Sequence, residues 1–373
     1  MRKYMLGLVA ATALAAGTQG ISGAAAQEIT IAVAGPITGQ YAIFGEQMRR
    51  GAQLAVDDIN AKGGVMGRKL RLEVGDDACD PRQAVAVANQ LASRKVVFVA
   101  GHFCSSSSIP ASQVYNEAGI VQISPASTNP ALTDDAAKKG WTNVFRACGR
   151  DDQQGAVAGA YLADKYKGKK VAIIHDKSTY GKGLADETQK AMNAKGLKEV
   201  MYEAVTQGDK DFSALISKMK QSGVDVIYYG GYHTEAGLMV RQAREQGLNA
   251  TLISGDALVD NEFWKITGAA GEGTLMTFAP DPRKAPEAKE IVARFKQQGY
   301  DPEGYTLYSY AALQVWAAAV NSVKSTDVEK VSPAIRNHTF PTVIGDLKFD
   351  NKGDVSNSKY VFFVWKNGQY AEM

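Results

Sequence analysis

The chain has 373 residues, with 42 Lys and Arg against 39 Asp and Glu, and 45% of it is hydrophobic. A formal charge of +3 with no basic stripe argues against nucleic acid as a partner, and the apolar content argues against disorder. This length exceeds what one hydrophobic core usually holds and points to two domains.

Residues 1–26 read as a secretory signal peptide. Arg2 and Lys3 precede an uncharged apolar stretch from Met5 to Ala16, and Ala24, Ala25 and Ala26 supply a small-residue cleavage site after Ala26. The apolar stretch falls short of the about 20 residues a membrane span needs. No cysteine follows the small residues to carry a lipid, and no later segment is long and apolar enough to span. The expected mature chain is a soluble exported protein. Without Arg2 and Lys3 its formal charge falls from +3 to about +1.

From Ile29 onward, strand-like runs alternate with helical patterns. ITIAVAG precedes a helix over Gly45–Ala61, LRLEVGD one over Pro81–Ser93, and VVFVAG one beginning near Ser107, while IVQIS leads into a proline-rich turn. VFRACG, KVAIIHD, VMYEAV, DVIYYGG, TLISGD and TLMTFA then repeat the arrangement. Continuous apolar strands suit burial on both faces, and strand–helix alternation predicts parallel doubly wound sheets. There are enough units for two such sheets, and no Pro/Gly/Ser linker separates two halves.

Cys79, Cys104 and Cys148 allow at most one internal pair, and in an oxidising compartment two cysteines that meet form a disulfide. Cys79 and Cys104 both sit just beyond strands, in LRLEVGDDACD and VVFVAGHFC, and adjacent parallel strands would bring them together. Closing that loop is worth about 3 kcal/mol in the chain-entropy model. Cys148 is expected to be free.

Ligands of open parallel sheets bind beyond the carboxyl ends of the strands. Five polar stretches fall there: the serine run 105–108, SPASTNP (124–130), HDKSTYG (175–181), GGYHTE (230–235) and SGDALVD (254–260). Pro110 suits the first turn of a helix, which makes Ser107 or Ser108 the N-cap. Ser105 and Ser106 then precede exposed N–H groups that favour a carboxylate without any lysine or arginine. In SPASTNP the prolines keep the turn irregular, so the Ala126 carbonyl and the Thr128 hydroxyl and N–H face a ligand. Phe44, Phe103, Tyr180, Tyr232 and Tyr305 form plausible walls for an apolar side chain.

Enzymatic and cofactor readings find little support. A G-x-S-x-G elbow is absent, the histidines at 102, 175, 233 and 338 lack metal-ligand spacing, and GKGLAD has Asp186 where a dinucleotide fingerprint needs its third glycine. His102 and Cys104 could form a thiol nucleophile, but the expected disulfide opposes it. No cofactor, metal or catalytic residue is expected.

The stretches INAKGGVMGRKLRLEVGDDACDPRQAVAVANQ, GHFCSSSSIPAS, ISPASTNPAL, HDKSTYGKGLA, YYGGYHTEAG and YAALQ closely resemble the periplasmic leucine/isoleucine/valine-binding proteins of ABC transporters, over essentially the whole mature chain. The resemblance implies a type I periplasmic binding fold: two α/β lobes of doubly wound parallel sheet, joined by three crossovers that close on the ligand. Residues 27–150 with 279–358 would form one lobe, and 151–278 with 359–373 the other. It also implies the Cys79–Cys104 disulfide. Carried over by position, Ser105 and Thr128 would hold the ligand carboxylate. The Ala126 carbonyl, Asp256 and Tyr232 would meet its ammonium, and Phe44, Phe103, Cys104, Ser127, Tyr180 and Tyr305 would surround its side chain. The implied partners are a free amino acid and the membrane permease of an ABC uptake system, and the implied form is a monomer in a Gram-negative periplasm. Three positions depart from the family pattern. Asp256 stands where leucine binders have Glu, Phe103 where Leu is frequent, and Phe44 where they have Tyr, losing a hydroxyl. The resemblance implies an aliphatic ligand of the leucine, isoleucine and valine type, and Phe103 with Asp256 offers the alternative of a small or slim ligand such as alanine, proline or 4-aminobutyrate.

Overall fold

The computed structural model describes residues 27–373; the expected signal peptide lies outside the described residues. Two sheets organise the chain. The first contains β1 (Ile29–Gly35), β2 (Leu70–Asp76), β3 (Phe98–Gly101), β4 (Val121–Ser124) and β5 (Val144–Arg146), all parallel in the order β2-β1-β3-β4-β5. The second contains β6 (Val171–His175), β7 (Met201–Ala204), β8 (Val226–Gly230), β9 (Thr251–Ser254) and β10 (Leu275–Phe278), also parallel to one another. Every residue of β3, β4, β6 and β8 is buried, Gln122 and Ser124 of β4 and His175 of β6 included.

The remaining strands depart from the parallel pattern. β11 (Thr339–Thr342) and β12 (Gly345–Lys348) form a separate hairpin, while β13 (Val361–Lys366) and β14 (Gln369–Glu372) extend the second sheet antiparallel beside β10. The chain therefore passes between the two sheets three times, at residues 147–150, 279–305 and 349–360. After the second passage the almost wholly buried helix Thr306–Val323 packs on the helix Ala42–Ala61. Their approach requires Gly51, because a Cβ there would lie 2.0 Å from the Thr306 carbonyl oxygen. Among the described residues no helix is long and apolar enough to cross a membrane.

The helix over Pro81–Ser93 forms as its sequence predicts, capped by Asp80, whose carboxylate accepts from the N–H groups of Arg82 and Gln83. The serine helix differs from expectation. It runs from Ser105 to Glu117, Cys104 occupies its N-cap position, and Pro110 lies inside it. Ser107 and Ser108 are not caps: their N–H groups both donate to the Cys104 carbonyl at 2.9 Å. The Cys104 backbone starts the helix, so the hydroxyls behind it are free for other contacts.

Cys79 and Cys104 are bonded, with Cα atoms 5.6 Å apart, and Cys148 is free and buried. The strands that lead to the bonded pair are not adjacent, as the sequence reading supposed, because β1 lies between β2 and β3. The loop after β2 instead folds over the end of β1. The Asp77 N–H donates to the Gly35 carbonyl at 3.0 Å, and Cys79 takes a left-handed conformation with φ 62°.

Candidate functional site

The carboxyl ends of the two sheets face each other across a narrow cleft lined by Phe103, Ser105, Ala126, Tyr180, Tyr232, Asp256 and Ala257. Phe103, Ser105 and Ala126 follow strands of the first sheet; Tyr180, Tyr232, Asp256 and Ala257 follow strands of the second.

On the first side, hydroxyls build the wall. The Ser124 hydroxyl donates to the His102 carbonyl at 2.7 Å and accepts from the Ser127 N–H at 2.8 Å. The Ser127 hydroxyl lies 2.6 Å from that of Ser108 and donates to the Phe103 carbonyl at 2.8 Å, so it is spent within this wall. Ser105, the first helical residue, accepts from the Asn129 N–H at 3.2 Å, while the buried hydroxyls of Ser106 and Thr128 have no partner. N–H groups in a first helical turn also lack intrahelical partners, so this side presents neutral donors. Fully buried Arg146 fixes the second loop. Its guanidinium donates to the carbonyls of Ser127 at 2.6 Å and Asn129 at 3.0 Å, and it pairs with Asp354 at 2.6 Å. The fully buried His102 is held between the Asp77 carboxylate at 2.5 Å and the Tyr115 hydroxyl at 2.7 Å. With Cys104 bonded to Cys79, the candidate thiol nucleophile has neither a free thiol nor an unoccupied base.

The second side supplies acid. Asp256 begins a short 3-10 turn, Asp256–Leu258, after Gly255. A Cβ on Gly255 would meet Leu184 Cδ2 at 2.5 Å and the Tyr180 hydroxyl at 2.8 Å, so a larger residue there would displace the Tyr180 side chain that meets Asp256. Burial raises the Asp256 pKa, opposed by hydroxyl donors. The Tyr180 hydroxyl donates to Asp256 Oδ1 at 2.9 Å, and the Tyr305 hydroxyl donates to Oδ2 across the cleft. Burial pushes the Tyr180, Tyr232 and Tyr305 phenols upward, with Asp256 adding to the shift, so they remain protonated donors.

Aromatic rings close the site. Phe44 stacks behind Phe103 with centroids 4.3 Å apart, Tyr305 meets Phe103 edge-on at 5.2 Å, and Tyr180 lies 5.1 Å from Tyr232. Cys104 and Ser127 sit behind the cleft face, one in the disulfide and the other in the hydroxyl network. Burial pushes the Cys148 thiol upward, which leaves it an unreactive packing residue.

Several contributors were not singled out from sequence. They are Arg146, the His102–Asp77–Tyr115 set, the buried acid Asp151, and a cross-cleft cluster around Glu235. The Glu235 carboxylate accepts from the Gly208 N–H at 2.7 Å and from Gln40 Nε2 and the Tyr41 hydroxyl at 3.2 Å each. Among the described residues no cluster of acids, histidines and cysteines suits a metal ion.

The family model for the periplasmic binding protein matches residues 28–369. The chain belongs to this family. It is 49% identical over 369 residues to the Leu/Ile/Val-binding protein homolog 1 of Brucella suis, covering 99% of this chain and 97% of that one. An amino acid binding protein of Pseudomonas aeruginosa is 50% identical over 376 residues, covering 100% and 98%. Among solved structures, the branched-chain amino acid transporter substrate binding protein of Streptococcus pneumoniae, in complex with isoleucine, superposes with a TM-score of 0.84 at 28% identity, covering 93% of this chain and 99% of that one. The family membership agrees with the α/β architecture of two parallel-dominated sheets described above.

Proposed function

We propose that the chain is the substrate-binding component of an amino-acid ABC uptake system, without catalytic activity, exported to the periplasm and delivering its ligand to a membrane permease. The observation that carries this reading is the polarity of one narrow cleft. Neutral hydroxyl and N–H donors around Ser105 face a buried carboxylate, Asp256, across a space walled by aromatic rings. That arrangement complements a zwitterion. Ser105 and Thr128 would take the carboxylate. The Ala126 carbonyl, Asp256 and Tyr232 would take the ammonium, with Phe103, Tyr180 and Tyr305 against the side chain and Phe44, Cys104 and Ser127 backing it. The kinship to Leu/Ile/Val-binding proteins supports a branched-chain ligand. Residues 27–150 with 279–358 and 151–278 with 359–373 would move as two lobes about the three passages, as a monomer.

A second reading, a small or slim amino acid, is favoured by the stacked Phe44–Phe103 pair and the narrow cleft. Thermal-shift screening across the amino acids, with 4-aminobutyrate included, tests both readings. A ligand at a hundredfold excess over its dissociation constant stabilises the folded state by about 2.7 kcal/mol. No shift with any amino acid overturns the proposal, as does release of product from peptides or amides.

A further inference from the structure

Asp151 opens the helix Asp151–Lys165 on the second side of the cleft, and it is fully buried. Its N–H donates to the Thr128 carbonyl at 2.9 Å, which ties it to the loop of the opposite side. Among the described residues neither carboxyl oxygen has a well-formed hydrogen bond, and the Thr128 hydroxyl, close enough to act on the Asp151 carboxyl, has no other partner. The titratable groups that act electrostatically on Asp151 or feel its charge include Asp256, Asp152, Arg146, Cys148, Tyr180, Tyr228, Tyr232 and Tyr360. Arg146 is the only cation among them, and it is occupied by Asp354 and two carbonyls.

Two buried carboxyls thus share one neighbourhood, but their surroundings differ. Asp256 accepts from two tyrosine hydroxyls, which favours its charged form; Asp151 has only the Thr128 hydroxyl beside it, without a well-formed bond. Thr128 sharpens the distinction because it has one hydroxyl proton. An ionised Asp151 would draw that proton to itself and set a negative charge beside the ligand carboxylate. A protonated Asp151 can donate to Thr128 Oγ1 and leave the threonine proton for the ligand.

We propose that Asp151 is a positioning residue that works as the neutral acid: it donates its proton to Thr128, which donates in turn to the ligand carboxylate, while Asp256 alone meets the ammonium as an anion. This rests on the amino-acid-binding reading above. Burial first and the neighbouring Asp256 next push the Asp151 pKa well above the usual carboxylate range, against the opposing pull of the Thr128 hydroxyl and Arg146, consistent with that assignment.

Two measurements separate the inference from the reading beneath it. The first is calorimetric titration of the whole mature protein with L-leucine, L-alanine and 4-aminobutyrate as probes. Asp151→Asn, whose amide can replace the donated hydrogen bond, should weaken binding by only about threefold, whereas Asp151→Ala should weaken it about tenfold or more. Affinity of the native protein should fall at high pH as Asp151 ionises, and Asp151→Asn should lose that decline. The second is the infrared difference between ligand-free native protein and Asp151→Asn at neutral pH, which should contain the carbonyl band of a protonated carboxylic acid. If none of the probes binds the native protein, the underlying reading is wrong while the infrared band still decides the state of Asp151. Absence of that band, or loss of binding in Asp151→Asn as severe as in Asp151→Ala, overturns the inference.

Discussion

Replacing Asp256 by Asn should move stability and binding in opposite directions. In the ligand-free protein the Asp256 carboxylate is buried without a cationic partner, and burial disfavours its charge. The amide introduced by Asp256→Asn would keep an acceptor for the Tyr180 hydroxyl, and the Tyr305 hydroxyl could rotate to accept from its NH2 group. The melting temperature should therefore hold steady or rise slightly. Binding should suffer, because the ligand ammonium loses its buried counter-charge. Removing one member of such a pair costs about 2–5 kcal/mol, and each 1.4 kcal/mol is about tenfold, so the dissociation constant should rise by about 30-fold or more. Calorimetric titration and thermal unfolding on the same preparations measure both effects. An affinity within about threefold of the native value would refute Asp256 as the ammonium anchor.

Ser105→Ala and Thr128→Ala should each weaken amino-acid binding by about 1.5–3 kcal/mol, because both donate to a charged group; unchanged titration curves for both would place the carboxylate elsewhere. Phe103→Leu should shift preference toward leucine, isoleucine and valine by relieving the stack on Phe44, and a native protein that already binds leucine more tightly than alanine, proline and 4-aminobutyrate would contradict the size argument. Thiol labelling of native protein should find no reactive group until denaturation exposes Cys148 alone, whereas three labelled thiols would exclude the disulfide. Ligand-free stability should fall as pH rises from about 4 to 7, since Asp176, Asp260 and Glu303 are each pushed up by burial to about 7 and bind protons in the folded state that the unfolded chain has released. His233, lowered by burial to about 4, opposes this trend but is outnumbered; a melting temperature that rises steadily over that interval would show these acids to be better solvated than their burial implies.

Most of the ten parallel strands were legible because they are apolar runs followed by helical patterns, the mark of burial on both faces, whereas the edge strands β2 and β7 carry charges and are only partly buried. The C-terminal strands were missed although one of them carries a strong local signal. Lys366-Asn367-Gly368-Gln369 forms the turn between β13 and β14, with Asn367 and Gly368 both at positive φ, as a two-residue hairpin requires. Ser105, Ala126, Tyr180, Tyr232 and Asp256 could be gathered from sequence because strand ends converge in this topology. Arg146 and Asp151 could not, because their importance comes from contacts with Asp354 and Thr128 that neighbouring letters do not disclose. Pro110 misled in a different way. It suits a first helical turn, but helix start is set by which carbonyl accepts first, and here that is Cys104.

The cleft is held by neutral donors and lone acids rather than by ion pairs, and this bears on the proposed delivery of ligand. Glu235 and Tyr41 meet from opposite sides, yet no lysine or arginine accompanies them; the carboxylate accepts from a backbone N–H, an amide and a phenol. Burying a carboxylate on such partners offsets its desolvation without a large surplus. The same balance holds at Asp256, where two phenols stand in place of a cation. On the proposed reading, closure without ligand would gain little, and a ligand ammonium would supply the missing charge. A site with a fixed arginine for the carboxylate and a fixed lysine opposite the acids would close whether or not ligand was present, and would surrender its cargo reluctantly. Spreading the recognition over hydroxyls, N–H groups and uncompensated acids would make closure depend on the zwitterion and would leave the closed form within reach of reopening.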